Sequence, residues 1–587
     1  MLYACAIAYA KFFIFIRKYR IGDVMKVKAT VGIAKILKEE GVEWISVFPS
    51  SGMNTPCGDE GITNLMMREE RFAIAVADGF SRVSNGKRFG VCSVQSGLNS
   101  CGVQYGYGAL AQAYEDSTPL LCITDGISPS ITGVKSFDVG EAFKSVTKWT
   151  GYLNKPHRTS EFMTRAFTYL RTGKPGPVLL RVPQDLGEYN LSDFPYTPPS
   201  SWKQQANPKD IQIAVRSLLS AENPLIYAGQ GIFYADASEE LLNFAELIHA
   251  PVLTTLKGKS CFPENHPLSI GVKGLPAEEF LRSSDLVFAV GSSLLPGRRY
   301  GGFAHHIPDS KRSDLIPAMA TKKIIQCTND PMDVNRYYQV DHAVLGDVKL
   351  VLNQLMDEIN KQNRPLKNRE KIEEEIEKAK KAHLDKYLPL MTSSERPINP
   401  FRVYGEIMNA IDRKNSFVTH DSGNTREQLA TVFESQIPHG FLGWGNVSTL
   451  GFGLGAAIGA KLAYPERETI NVAGDAAIGY QLCAYEALVR NGIGVTTVHI
   501  NNDGFAGYGP GFWGKGSNPY VADITPSTIL NMSKVLEGLG EYSERVEDPD
   551  EISPALKRAL KQNASGKPAY LEIICSKYPV AGAWLKE

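Results

Sequence analysis

Short apolar runs alternate with helical patterns along most of this chain, and that alternation restricts its fold more than any other feature. In the first third, Trp44–Phe48, Phe89–Val94, Pro119–Thr124 and Pro177–Val182 read as strands, with stretches at helical spacing between them. Strands joined through helices lie parallel, because the crossover returns the chain to the same end of the sheet. The pattern recurs in Pro224–Ala228, Pro251–Thr255, Leu286–Val290 and Lys323–Gln326, and again in Ser416–Thr419, Thr469–Ala473, Val495–Ile500 and Ala569–Ile574. A chain of 587 residues is too long for one core. The fold class expected is therefore α/β, with three parallel-sheet domains at residues 25–195, 209–358 and 401–587. The polar, Pro-rich stretch Asp193–Pro208 separates the first two. Residues 359–400 separate the last two. Within them Asn360–Leu388 sets Glu and Lys four apart, as in Glu374–Lys378, and reads as a solvated helical connector closed by Ser394–Pro400.

Composition narrows the partners. Lys plus Arg and Asp plus Glu both number 63, so no excess charge points to nucleic acid or to stable membrane insertion. Nine cysteines are scattered with no CxxC, which reads as free thiols in a reducing, cytoplasmic setting. The ten histidines form no HxxxH pair, and His305–His306 reads as surface. Leu2–Ile16 is apolar but too short to span a bilayer, and it lacks the charged start and cleavage site of a signal peptide. Residues 1–24 read as a non-native or flexible leader. Met25-Lys-Val-Lys then opens a helix with Val31, Ala34, Ile36 and Leu37 at helical spacing.

The chemistry concentrates near the end of the chain. The strand Thr469–Ala473 stops at Gly474-Asp475, and a helix with Leu482, Tyr485 and Val489 on one face follows. The strand Val495–Ile500 then runs into Asn501-Asn502-Asp503-Gly504. Polar residues thus stand at the carboxyl ends of two parallel strands, where such sheets bind ligands. The Asp475 carboxylate, the Asn502 amide oxygen and the Gly504 carbonyl supply one charge and neutral oxygens. That set suits Mg²⁺, which completes its octahedron with phosphate and water. The N–H groups of Ala476 and Ala477, at a helix start, suit a phosphate oxygen.

Asp475 and Asn502 lie 502 − 475 = 27 residues apart, and Gly-Asp…Asn-Asn at this spacing resembles the fingerprint of thiamine-diphosphate (ThDP) enzymes. The chain is similar to their acetolactate synthase, pyruvate oxidase and oxalyl-CoA decarboxylase group, and in particular to the large catalytic subunit of acetolactate synthase. Ala476 departs from the usual third glycine, but only its backbone N–H is needed. Arg68-Glu69-Glu70, followed by a helix to Val83 that carries Ala77-Asp78-Gly79-Phe80-Ser81-Arg82, resembles the family's upstream motif. The resemblance implies pyrimidine-binding, central and diphosphate-binding domains in that order, with ThDP and Mg²⁺ as cofactors. It makes Glu70 the catalytic carboxyl beside the aminopyrimidine and Glu69 a solvated neighbour. In Trp444–Leu454 it implies that Leu450 props the coenzyme and that the Ser448 backbone holds its pyrimidine. It gives Ser422, Gly423, Asn424 and Thr425, with Gly474 to Ala477, to the diphosphate. The segments Gly173–Asp185 and Gly346-Asp347 match as fold landmarks. A homodimer or homotetramer with its active site at a subunit interface is also implied.

The substrate is less legible. The first strand-to-helix turn, Phe48–Met53, holds no histidine, and Gln95, Ser96 and Phe137 are the candidate pocket residues. Thr147-Lys148-Trp149, Ser96–Ser100 and Ser136-Phe137-Asp138 partly match acetolactate synthases, as does Arg298-Arg299, whereas Tyr300–Ala320 departs from them. Gly229-Gln-Gly231 is either a tight turn or a nucleotide turn, and FAD or an adenine nucleotide in the central domain stays open. The reading is a 2-oxo acid decarboxylase and carboligase of acetolactate synthase type. Its alternatives are a lyase acting on a 2-oxo acid or a 2-hydroxyacyl-CoA, and an inactive binding subunit.

Overall fold

A computed structural model describes residues 26–49, 51–97, 100–128, 130–131, 137–295, 322–362, 369, 371–445, 447–502 and 531–576. Three sheets, each wholly parallel, organise the chain. The first runs in the order Thr63–Met66, Trp44–Val47, Gly90–Val94, Leu120–Asp125, Val178–Val182, Trp149–Tyr152. The second runs Val252–Thr254, Pro224–Ala228, Leu286–Val290, Lys323–Thr328, His342–Leu345. The third runs Phe441–Leu442, Ser416–His420, Glu468–Gly474, Thr496–Asn501, Ala569–Ile574, Tyr542–Val546. The first and third share one strand order. Helices cover both faces, so central strands such as Leu120–Asp125 and Leu286–Val290 are buried at every residue.

Three local expectations are corrected. Lys26–Lys28 is not helical. It pairs antiparallel with Glu188–Asn190, and the helix Ala29–Glu39 begins only after it. Helix Ile372–Met391 is exposed along most of its length, as a solvated connector would be, but it also buries one face. Ile376, Ala379 and Tyr387 form a narrow buried stripe at helical spacing among its charges, packed toward helices Leu275–Ser283 and Pro400–Ala410. In helix Asp475–Asn491, Tyr485 is buried but Leu482 is exposed; the inward face is instead Ala477, Ile478, Gln481, Ala484, Tyr485 and Leu488.

The first and third domains meet through equivalent helices, Glu70–Val83 and Phe452–Ala463. Their approach is close because it is built on glycine. A Cβ at Gly79 would stand 2.5 Å from the Ala456 Cα, and one at Gly459 would stand 2.4 Å from the Phe80 nitrogen. Leu2–Ile16, His305–His306 and Tyr300–Ala320 lie outside the described residues.

Candidate active site

In the third sheet the chain leaves Ser416–His420 toward one edge and returns to Glu468–Gly474 on its other side. The loops after these two strands therefore splay apart and open a crevice at their carboxyl ends. One wall is the loop His420 to Thr425. Gly423 has φ +101°, a left-handed conformation that favours glycine, and it caps helix Asn424–Val432 without a side chain. The opposite wall is Gly474, which caps helix Asp475–Asn491, again with no side-chain cap. The first-turn amides of that helix, those of Ala476 and Ala477 among them, have no intrahelical acceptor and carry the positive end of the helix dipole. A Cβ at Gly474 would lie 3.8 Å from the Thr425 methyl, so the two walls adjoin.

Asp421 joins the pieces. Its carboxylate is fully buried and accepts from the N–H groups of Ser422 (2.7 Å), Gly451 (3.1 Å) and Gly453 (2.9 Å) and from Gln481 Nε2 (3.1 Å). Sequence reasoning gave the neighbouring Ser422 to Thr425 to the diphosphate and did not single out Asp421, whose sequence signal is a lone acid between a buried strand and a glycine turn. Through it the Ser422–Thr425 loop, the Leu450 segment and the Asp475 helix are fixed to one another. The Ser448 hydroxyl donates to that of Ser422 at 2.7 Å, on the exposed side.

Asp475 is half-buried. Its Oδ2 accepts the Asn502 N–H at 3.1 Å, and its Oδ1 lies 3.1 Å from His499 Nε2. His499 Nδ1 in turn meets the Tyr570 hydroxyl at 2.7 Å. This His499–Tyr570 backing went unread, because an inward histidine on a buried strand looks like ordinary core. A carboxylate at the mouth, uncapped helix amides, two hydroxyls and a left-handed glycine together fit a diphosphate with its divalent cation. Gly504 lies outside the described residues.

Glu70 opens helix Glu70–Val83 and is 8% exposed. Burial, aided by the charge of Glu69, pushes its carboxyl above the ordinary range, against a backbone hydrogen bond that lowers it. A Cβ at Gly102 would stand 2.6 Å from Glu70 Oε1 and 2.7 Å from the Gln95 carbonyl, so glycine lets these groups gather. Gln95 is half-buried and Ser96 buried after strand Gly90–Val94, while Phe137 is half-exposed ahead of helix Val139–Phe143. Ser136, Leu98, Asn99, Arg298 and Arg299 lie outside the described residues. Glu69 is not a solvated neighbour: it pairs with Arg71 at 3.0 Å and accepts from the Cys483 thiol at 3.4 Å. Arg71 also donates to the carbonyls of Leu450 and Tyr480, both at 3.4 Å, which ties the start of the Glu70 helix to the third domain. Leu450 is partly buried against the core shared by these two domains.

A cavity of about 750 Å³ lies where the central domain's own connections reverse, at Gly229-Gln230-Gly231 and Gly291-Ser292, with first-domain residues such as Lys87 and Arg171 on its other side. The glycines there are a tight turn first: a Cβ at Gly229 would stand 2.4 Å from the Gly291 oxygen. Lys174 and Asp347, from the two segments read only as fold landmarks, also line the cavity.

Comparison with known proteins places the chain. Residues 27–145, 211–355 and 421–573 match the thiamine pyrophosphate enzyme N-terminal TPP binding domain, central domain and C-terminal TPP binding domain. A Methanocaldococcus jannaschii protein assigned as an acetolactate synthase large subunit is 30% identical over 573 residues, 93% of this chain and 92% of that protein. The Escherichia coli K12 acetolactate synthase isozyme 3 large subunit is 25% identical over 87% of this chain and 88% of its own length. A glyoxylate carboligase of Escherichia coli O157:H7 is 27% identical over 94% of both. Among solved structures, a thiamin diphosphate-dependent enzyme candidate from Mycobacterium smegmatis superposes with a TM-score of 0.74 at 20% identity, over 94% of this chain and 99% of that one. The chain therefore belongs to the thiamine pyrophosphate enzymes, in their acetolactate synthase-type branch.

Proposed function

We propose that this protein uses ThDP and Mg²⁺ to decarboxylate a 2-oxo acid and join the remaining fragment to a second oxo acid, as an acetolactate synthase does. The observation that carries the reading is the crevice in which Asp475, Asn502, the Ala476 and Ala477 amides, Ser422, Gly423, Asn424 and Thr425 share one mouth. Asp475 and the Asn502 side chain would hold the cation, and the amides and hydroxyls the diphosphate. Ser448 and Leu450 would seat the pyrimidine end. When bound, the coenzyme supplies an electron sink for the carbanion left by decarboxylation. Glu70, whose carboxyl burial pushes above the ordinary range, would hold a proton at the pyrimidine ring, and Gln95 and Ser96 would line the substrate side.

Within one chain Arg71 already ties the start of the Glu70 helix to Leu450 and Tyr480 beside the crevice, and we propose that copies assemble as a homodimer or homotetramer with this site at the subunit interface. Exposed aromatic and apolar side chains at Tyr105, Tyr107, Tyr114, Tyr480 and Leu482 on helices of the first and third domains support this. The eight described cysteines are free thiols, which suits a cytoplasmic protein. Lys87, Arg171, Lys174, Lys203, Lys257 and Lys349 line the central cavity, each paired with a carboxylate of the protein, so a phosphate-bearing ligand such as FAD or an adenine nucleotide would have to displace those partners. No helix among the described residues is long and apolar enough to cross a membrane.

The test is a ThDP titration followed by product analysis on a panel of 2-oxo acids that includes pyruvate and glyoxylate. Acetolactate or another ligated product is expected. Aldehyde and CO₂ alone would turn the reading to a lyase, and coenzyme binding without turnover to a silent subunit. Mass spectrometry of ligands released from the purified protein identifies what fills the central cavity.

A further inference from the structure

Thr449, between the Ser448 and Leu450 proposed to seat the pyrimidine, and Gly445, just ahead of them, are gripped by the first domain of the same chain. Helix Tyr107–Glu115 and its C-cap Asp116 lay three residues, one turn apart, along that stretch. The Gly108 carbonyl accepts the Thr449 hydroxyl at 3.2 Å, Gln112 Oε1 accepts the Thr449 N–H at 2.9 Å, and Asp116 Oδ2 accepts the Gly445 N–H at 2.8 Å. Gln112 and Asp116 are fully buried. Arg82 steadies the far end, donating to Asp116 Oδ2 at 3.1 Å and to the Gly443 carbonyl at 2.9 Å. Lys257, which lines the central cavity, packs its stem so tightly on Gly445 that a Cβ there would stand 2.0 Å from the Lys257 Cδ.

Gln112 is an expensive residue for this place. Its Oε1 takes the Thr449 N–H, but its buried Nε2 has no hydrogen-bond partner among the described residues. Burying an unpaired amide donor costs free energy that an apolar side chain of the same size would avoid. The geometry points to Gln112 and Asp116 as positioning residues that set the backbone of the Gly445–Leu450 segment for the coenzyme, with Lys257 linking the same grip to the central cavity. The assignment rests on the function proposed above.

The test separates the two. Peptide-resolved hydrogen exchange of the coenzyme-free protein reads the backbone amides of residues 447–450, and calorimetry reads ThDP affinity in the presence of Mg²⁺. Gln112→Met should speed exchange at 447–450 about tenfold and weaken ThDP about tenfold. Glu264→Gln, in the buried Lys259–Glu264 pair of the central region, is the control for general loosening and should leave both unchanged. Should the methionine variant not fold, Gln112→Asn withdraws the acceptor by one methylene and keeps its polarity. Unchanged exchange at 447–450, or a rise matched by the Glu264→Gln control, overturns the proposal. Faster local exchange in a protein whose wild type binds no ThDP would uphold the grip and defeat the functional reading instead.

Discussion

The first and third domains share a strand order yet use the crevice at their reversal points in opposite ways. In the first, Asp125 ends a buried strand, and its Oδ1 accepts from the Gly52 N–H at 3.2 Å and from Gln184 Nε2 at 2.9 Å. The loop donors that could face a ligand there are turned onto the protein's own carboxylate. In the third, the buried carboxylate is Asp421, which gathers loops from behind, while the two helices at the mouth start on glycines with no side-chain cap. The first crevice satisfies itself, and the third leaves anion-binding amides facing outward. One topology thus makes an anion site in one copy and, in the other, a crevice that spends its loop amides on Asp125 and offers side chains such as Glu70 instead, and the difference lies in a few loop residues.

The strongest way to break this comparison is at the one carboxyl that the first domain does offer. Glu70→Gln should bind ThDP but slow exchange of the thiazolium C2 proton by about 10² to 10⁴-fold, the usual worth of a placed acid–base group. Proton exchange followed by NMR on the bound coenzyme measures it, and a wild-type rate would remove Glu70 from the chemistry. Next in size is the third crevice itself. Asp475→Ala should weaken ThDP in the presence of Mg²⁺ by about a hundredfold, at or above what losing an outer partner of a metal ligand costs. Retained affinity would show that the cation, if bound, sits elsewhere.

A third test sharpens the contrast between glycines that shape the fold and glycines that shape the site. Gly79→Ala gains helix propensity of about 1 kcal/mol, but its Cβ would meet the Ala456 backbone at 2.5 Å. Overpacking against backbone should win, with a net loss of about 1–3 kcal/mol in thermal stability. Gly474→Ala has φ −94° and its nearest neighbour 3.8 Å away, so it should leave the unfolding midpoint within about 0.5 kcal/mol. Equal effects at the two positions would contradict the packing argument.

What the sequence revealed follows the same physics. Strands buried on both faces, such as Leu286–Val290 and Ala569–Ile574, are unbroken apolar runs and are read end to end. The strands of the three parallel sheets that it missed, Thr63–Met66, Trp149–Tyr152, His342–Leu345, Phe441–Leu442 and Tyr542–Val546, are all sheet edges, and the antiparallel pair Lys26–Lys28 and Glu188–Asn190 was missed with them. Most of them are half solvated, and Phe441–Leu442 is only two residues long, so periodicity is weak. The Gly474-Asp475 turn and Asn502 were legible because they follow such strands directly in one strand–helix–strand unit. Gln112, Asp116 and Asp421 were not, because their meaning comes from backbone N–H groups far along the chain that only the fold brings near.

The smallest expected effect concerns Asp125, the carboxylate that closes the first crevice. Burial lifts its pKa, while Gln184 and the Gly52 N–H pull the other way without overcoming it. A folded-state pKa above the unfolded one means that the native protein holds this proton more tightly. The stability it confers is complete below the unfolded value and is lost as pH rises through the folded one. Asp125→Asn removes that titration and keeps one acceptor for the loop. The variant should therefore gain on the wild type as pH is raised from acid to neutral, by no more than about 1 kcal/mol, the net worth of an ordinary hydrogen bond. Its ThDP affinity should stay unchanged, because this crevice spends its donors internally. Unfolding midpoints of the two proteins, compared at several pH values, decide it. A difference that stays flat with pH would mean that Asp125 titrates in the folded protein as in the unfolded chain, and one that grows toward acid would mean that it is held ionised; either result defeats the reading of this crevice as a neutral support.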